Sequence, residues 1–95
     1  DYHRVWQFPL MDGGHLTLLA VADGMGGAAA GEVASKLAME VLNESFGRYV
    51  DELNGGRPVI SVDKLLDKAI RLANRRVYSA ALRSQGRRGM GTTLT

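Results

Sequence analysis

Asp23 is the residue of this chain best placed to do chemistry. It closes an unbroken apolar run, residues 18–22, and is followed at once by Gly24, Gly26 and Gly27 in the stretch LAVADGMGGAAAG, residues 19–31. A carboxylate at the end of a buried strand is aimed at one point by a rigid scaffold. Hard cations such as Mg²⁺ and Mn²⁺ take oxygen ligands from carboxylates, carbonyls and water. Glycine at 24 leaves its carbonyl accessible, and the later glycines let other groups come close. The competing reading is a tight turn before a helix, the more frequent use of Asp beside glycine. On residue types alone, both stand.

A phosphate cradle is a third use of glycines between a strand and a helix. Gly24, Gly26 and Ala29 satisfy G-x-G-x-x-A, the dinucleotide fingerprint. That motif also needs a second strand after the helix, with an acidic residue about 20 positions on. Glu44 sits at that distance, but inside a helical pattern. A P-loop fails because no Lys-Ser/Thr pair follows the glycines. His3 and His15 lack a partner at metal-ligand spacing and read as surface or structural residues. Thr92 and Thr93 read as ordinary strand formers rather than nucleophiles. The chain has no cysteine, which removes thiol chemistry.

The elements that must position Asp23 are legible in the periodicity. Residues 2–9, rich in aromatic and β-branched types, read as a strand. "MDGG", residues 11–14, is turn chemistry, and residues 15–22 read as a second strand paired antiparallel with the first. The all-apolar residues 18–22 imply that both faces of that strand are covered. From Ala28 the period becomes helical, with Ala30, Val33, Ala34, Leu37, Ala38, Val41 and Leu42 on one side. Gly47 weakens this helix without ending it, and "NGGRP", residues 54–58, does end it. Ser61 offers an N-cap to a second helix, near 62–84. Its stripe holds Leu65, Leu66, Ala69, Ile70, Ala73, Val77, Ala80 and Ala81. The two helices, near 28–53 and 62–84, are expected to pack antiparallel on one face of the sheet. A further strand starts near 91. Trp6 is expected in the core, and Met25 and Met90 in packing or at the rim of a cleft.

Composition bounds the function classes. The chain has 95 residues and a net charge of +2, too small to indicate nucleic acid. Residues 1–48 hold three basic against six acidic residues, −3. Residues 49–95 hold nine against four, +5. The basic run from Arg75 to Arg88 reads as a solvated helix face. No apolar run reaches the roughly 20 residues that cross a bilayer. The lack of cysteine suits a reducing, cytoplasmic setting. The first residue is Asp1 rather than Met, and the last strand has only begun at Thr95. Residues 1–95 are therefore expected to be part of one domain, cut at both ends.

Three pieces together carry a family resemblance. "VADGMGGAAAGEVAS", residues 21–35, resembles the signature of bacterial metal-dependent serine/threonine phosphatases, the protein phosphatase 2C-like (PPM) family. Asp1-Tyr2 resembles the end of that family's Asn-Glu-Asp motif. "RGMGTTLT", residues 88–95, resembles its Gly-Met-Gly-Thr-Thr segment. The pieces span the whole chain in the family's order.

The resemblance implies an α+β fold, part of a four-layer α-β-β-α sandwich: an antiparallel hairpin, two long antiparallel helices and the start of a further strand. Residues 1–95 would be the N-terminal part of such a domain. It implies hydrolysis of phosphoserine and phosphothreonine esters in proteins, through a water activated by two Mn²⁺ or Mg²⁺ ions. Asp23 would bridge the two metals, Gly24 would offer its backbone carbonyl to one, and Asp1 would orient water. The family's motif-one glutamate, its phosphate-binding arginine and its remaining metal aspartates do not occur in these residues. The chain alone is therefore expected to be inactive. Partners would be phosphorylated substrates of a serine/threonine kinase, with no nucleic acid and no membrane in this segment. A catalytically inactive phosphatase-like module for binding or regulation is the alternative.

Overall fold

Residues 2–83 and 89–95 are described by a computed structural model of the chain. Strand β1 (Tyr2–Pro9) pairs antiparallel with β2 (His15–Ala22), from Tyr2 opposite Ala22 to Pro9 opposite His15. The turn between them is closed by the Leu10 N–H donating to Gly14 O and the Gly13 N–H donating to Leu10 O. Beyond Asp23, the short strand β3 (Gly24–Met25) pairs antiparallel with β4 (Gly91–Thr92). The same ladder runs on past β4, because Val21 and Thr95 exchange both backbone hydrogen bonds at 2.9 Å. The β2–β3 line is therefore central, with β1 on one edge and the 91–95 segment on the other. The antiparallel pairing is as expected, and among the described residues no parallel strand follows the first helix.

Helices α1 (Ala28–Asn54) and α2 (Val62–Arg83) follow the expected bounds closely. Their direction is fixed by what packs together. Ala30 and Ala34, early in α1, meet Val77 and Ala80, late in α2. Ala38 and Val41 meet Ala73 at the middle. Leu42, Phe46 and Tyr49 share a cluster with Leu65 and Ala69, early in α2. The helices are thus antiparallel, along a seam made largely of alanine. Small side chains let the backbones approach, and each methyl contributes little, so the seam relies on its length.

Helix α1 has a second buried face that its first turns do not advertise. Met39, Leu42 and Phe46 pack on Ala20 and Ala22, with Tyr2, Trp6 and Phe8 half-buried around them. One helix therefore faces both the sheet and its partner helix. Helix α2 reaches over the other strand, where Val77 and Ala80 meet Met90 and the Ala73 cluster meets Leu94. Both helices cover one side of the strand row, as expected. The α2 stripe is narrower than its sequence suggests: Leu65, Ala69, Ala73, Val77 and Ala80 are buried, while Leu66 and Ile70 are exposed.

Two polar contacts brace the far end. Asn54 donates its side-chain N–H to Pro9 O at 2.9 Å and accepts from the Met11 N–H at 3.0 Å, tying the hairpin turn to the end of α1. The Tyr49 hydroxyl donates to Ile60 O at 2.9 Å, fixing the link between the helices. Helix α2 begins after Ser61, whose hydroxyl lowers the pKa of the exposed Asp63 carboxyl, as hydrogen bonding to the charged form does.

One expectation fails. The apolar run of β2 is covered on one face only. Ala20 and Ala22 are buried, but Leu19 is 68% and Val21 51% exposed, beside Val5 at 61% across the ladder. A continuous apolar run cannot itself say which elements cover it, and this chain supplies a layer for one side alone.

Candidate metal centre at the end of the central strand

Asp23 lies between β2 and β3, and its side chain is exposed. Residues two apart on a strand share a face. Asp23 therefore stands on the open side of the sheet with Leu19 and Val21, away from the helices. Its carboxylate has no hydrogen bond or ion pair among the described residues; only its backbone is engaged.

That backbone is held from two directions. On the strand side, the Thr93 N–H donates to Asp23 O at 2.9 Å and the Asp23 N–H donates to the Thr93 hydroxyl at 3.1 Å. On the helix side, the next residue presses on α1. A Cβ built on Gly24 would lie 1.8 Å from Gly31 O, and one built on Gly31 would lie 2.8 Å from the Gly24 carbonyl carbon. The two backbones touch with no side chain between them. The buried Ser35 hydroxyl donates to Gly31 O at 2.9 Å, satisfying the carbonyl at that contact. Gly26, at φ +106°, is packed as closely on another segment: its Cβ would fall 2.6 Å from Met90 Cα. Gly24 and Gly26 thus serve backbone-to-backbone contact with α1 and with the segment entering β4, whereas a Cβ on Gly27 would meet open space.

The arrangement explains why three separated stretches belong together. The strand end carries the carboxylate, the first turns of α1 support it through Gly31, and the 89–93 segment grips it through Thr93. The sequence placed Asp23 and Gly24 at a strand end beside a helix start, and the structure agrees. Asp1 lies outside the described residues, as do Arg87 and Arg88. His3 and His15 are exposed. By residue type Thr93 reads as an ordinary strand former and Gly31 has no assigned role, since threonine in a strand and glycine near a helix start are both ordinary. The signal available was their place in two glycine-rich stretches flanking the helices.

As a cation site, the residues fit part of a donor set. A free, exposed carboxylate on a fixed strand end is a hard oxygen donor, and the glycine beside it adds a carbonyl. Among the described residues no group of three or more His, Cys, Asp or Glu converges to hold a metal. A groove between α2 and β4, lined by Met25, Ile70, Tyr78, Met90 and Leu94, is mostly apolar and offers no carboxylate. As expected, Met25 and Met90 rim it.

The fold is an α+β layer with one exposed carboxylate at the end of its central strand. Known proteins resemble the chain as follows. The chain is 41% identical over 78 residues to the serine/threonine protein phosphatase PstP of Mycobacterium tuberculosis, covering 82% of this chain and 14% of that protein. It is 34% identical over 77 residues to the serine/threonine phosphatase stp of Listeria innocua and of Listeria monocytogenes, covering 81% of this chain and 29% of those proteins. No family model and no solved structure matches. The chain belongs with these bacterial serine/threonine protein phosphatases as a protein phosphatase 2C-like segment. It spans less than a third of the length of the relatives it matches.

Proposed function

We propose that this chain forms part of a metal-dependent protein serine/threonine phosphatase, and that Asp23 is its contribution to the metal centre. The observation that carries the reading is the state of Asp23. Its carboxylate is exposed and without a partner among the described residues, while its backbone is fixed on both sides. A turn-forming aspartate would spend its carboxylate on nearby N–H groups, as Asp12 does on the Gly14 N–H at 2.8 Å. The names of the relatives support the phosphatase part of this reading.

In this proposal Asp23 and the Gly24 carbonyl would hold Mn²⁺ or Mg²⁺, and Asp1 would orient water. Two such ions would supply a nucleophilic oxygen near neutral pH and offset the charge of the transferring phosphoryl group. The chain's own work is orientation. Gly24 packed on Gly31 and Asp23 bonded to Thr93 hold the donors still, so the carboxylate needs little rearrangement to bind. The substrates are phosphoproteins made by a serine/threonine kinase, in a cytoplasmic setting. Among the described residues no helix is long and apolar enough to cross a membrane.

The test is Asp23→Asn in the full-length protein, assayed with Mn²⁺ on a phosphothreonine peptide. Turnover should fall by about a hundredfold or more, with the melting temperature in chelator nearly unchanged. Near-native turnover would sink the assignment, and a large loss of metal-free stability would return Asp23 to a turn role. The 95-residue chain alone, with one described carboxylate at the site, should show no Mn²⁺-dependent hydrolysis of p-nitrophenyl phosphate. With Val5, Leu19 and Val21 bare, it should also self-associate on a sizing column.

A further inference from the structure

We infer that Thr93 is a positioning residue for the Asp23 centre, its hydroxyl standing in for a backbone carbonyl in the ladder that holds the strand end. The ladder between the central line and the 91–95 segment keeps one register throughout: Val21 faces Thr95, Asp23 faces Thr93, Gly24 faces Thr92 and Met25 faces Gly91. In an antiparallel pair, hydrogen-bonded residues exchange both of their backbone bonds. Val21 and Thr95 do so, each at 2.9 Å. At the next such pair only half of the exchange is made by backbone. The Thr93 N–H donates to Asp23 O at 2.9 Å, but the Asp23 N–H donates to the Thr93 hydroxyl at 3.1 Å. The carbonyl of Thr93 accepts instead from the Thr92 hydroxyl at 2.8 Å.

The substitution matters because it makes the backbone of Asp23 depend on a side chain. Strand ladders tolerate almost any residue, since their bonds run between backbone groups. Here the Asp23 N–H has an acceptor only if residue 93 carries a hydroxyl. The same hydroxyl lies 3.4 Å from Asp23 O, so one side chain spans both polar groups of that backbone. Without it, the N–H must find water or pull the strand back toward the Thr93 carbonyl. Either change moves Asp23 against Gly24, and Gly24 has no room, being in backbone contact with Gly31. The position of the carboxylate is thus set by Thr93 on one side and by the glycine contact on the other. This inference rests on the proposed role of Asp23 in holding a cation. Groups that support a ligand without touching the metal typically change affinity by 10–100-fold.

The experiment compares Thr93→Val, which keeps the shape and removes the hydroxyl, with Thr93→Ser, which keeps the hydroxyl, and with Asp23→Asn. Mn²⁺ binding is read in the full-length protein by the loss of the free-ion resonance signal. Exchange of the Asp23 amide is read by nuclear magnetic resonance without metal. Thr93→Val should bind Mn²⁺ about tenfold more weakly and lose protection at the Asp23 amide. Thr93→Ser should restore both. Native Mn²⁺ affinity in Thr93→Val, or weakened affinity with the amide still protected, overturns the inference. If Asp23→Asn also binds Mn²⁺ normally, the cation reading itself fails. The Asp23 amide in Thr93→Val then decides alone whether the threonine holds the strand end.

Discussion

The two ends of helix α1 are held by opposite means. At its start, Gly31 lies against Gly24 with backbone touching backbone, and nothing fits between them. Near its end, Gly47 faces the Phe8 ring, and a Cβ added there would lie 3.8 Å from Phe8 Cε1, an ordinary contact. Around Gly47 the helix is held by side chains: Phe46 in the core, Tyr49 bonded to Ile60 O, Asn54 bonded to the hairpin turn. A helix joined through side chains tolerates repacking, whereas one joined through backbone fixes a distance. The fixed distance falls where the candidate metal centre sits, and the tolerant packing falls where the fold needs only cohesion.

The sharpest way to break this comparison is to add a methyl at the start of the helix. Gly31→Ala would gain up to about 1 kcal/mol of helix propensity. It would also drive a Cβ to 2.8 Å from the Gly24 carbonyl carbon and 3.0 Å from Met25 N, both backbone. Backbone cannot step aside by rotamer, so α1 or β3 must move. Overpacking of this kind typically costs about 1–3 kcal/mol, and here the upper end is expected. Gly24→Ala, with its Cβ 1.8 Å from Gly31 O, should be worse. Both are measured by urea unfolding of the full-length protein. Gly31→Ala matching the native midpoint would show that the contact is looser than described.

Much of this was legible in the sequence, and the reason is local. The hairpin shows in a turn-former cluster between two β-rich runs, and both helices show in their periodicity. The candidate carboxylate shows because an acid ends an apolar run before glycines. What was not legible depends on partners distant in the chain. Thr93 acts on Asp23 from 70 residues away, and threonine in a strand carries no mark of such a role. Leu66 and Ile70 belong to the α2 stripe by spacing, yet both are exposed, since spacing alone cannot say which elements reach them. Leu19 and Val21 looked buried because their strand is apolar throughout, while only the Ala20 and Ala22 side meets a helix.

A smaller effect is expected where the far end is held by polar side-chain bonds. Asn54→Ala removes the bonds to Pro9 O and from the Met11 N–H. Both are exposed, so water replaces them in part. A net loss of about 1 kcal/mol is expected. It should appear as faster amide exchange at Met11 with little change around Asp23. Equal loosening at both places would mean that the two ends of α1 do not act separately.

The smallest change should carry the opposite sign. Gly47→Ala is the same substitution as Gly31→Ala, in the same helix, with the same gain in propensity and the same loss of unfolded-chain entropy. The backbone of α1 is helical there, so alanine fits without strain. The new methyl meets the edge of the Phe8 ring at 3.8 Å rather than a carbonyl at under 3 Å. It also covers a little of the apolar surface between helix and hairpin. A stabilisation of about 0.5–1 kcal/mol is expected, read as a higher urea midpoint with an unchanged slope. Destabilisation would mean that Phe8 has no freedom to accept the methyl. The far end of α1 would then be as tightly fixed as the end that carries Asp23, and the contrast between them would fail.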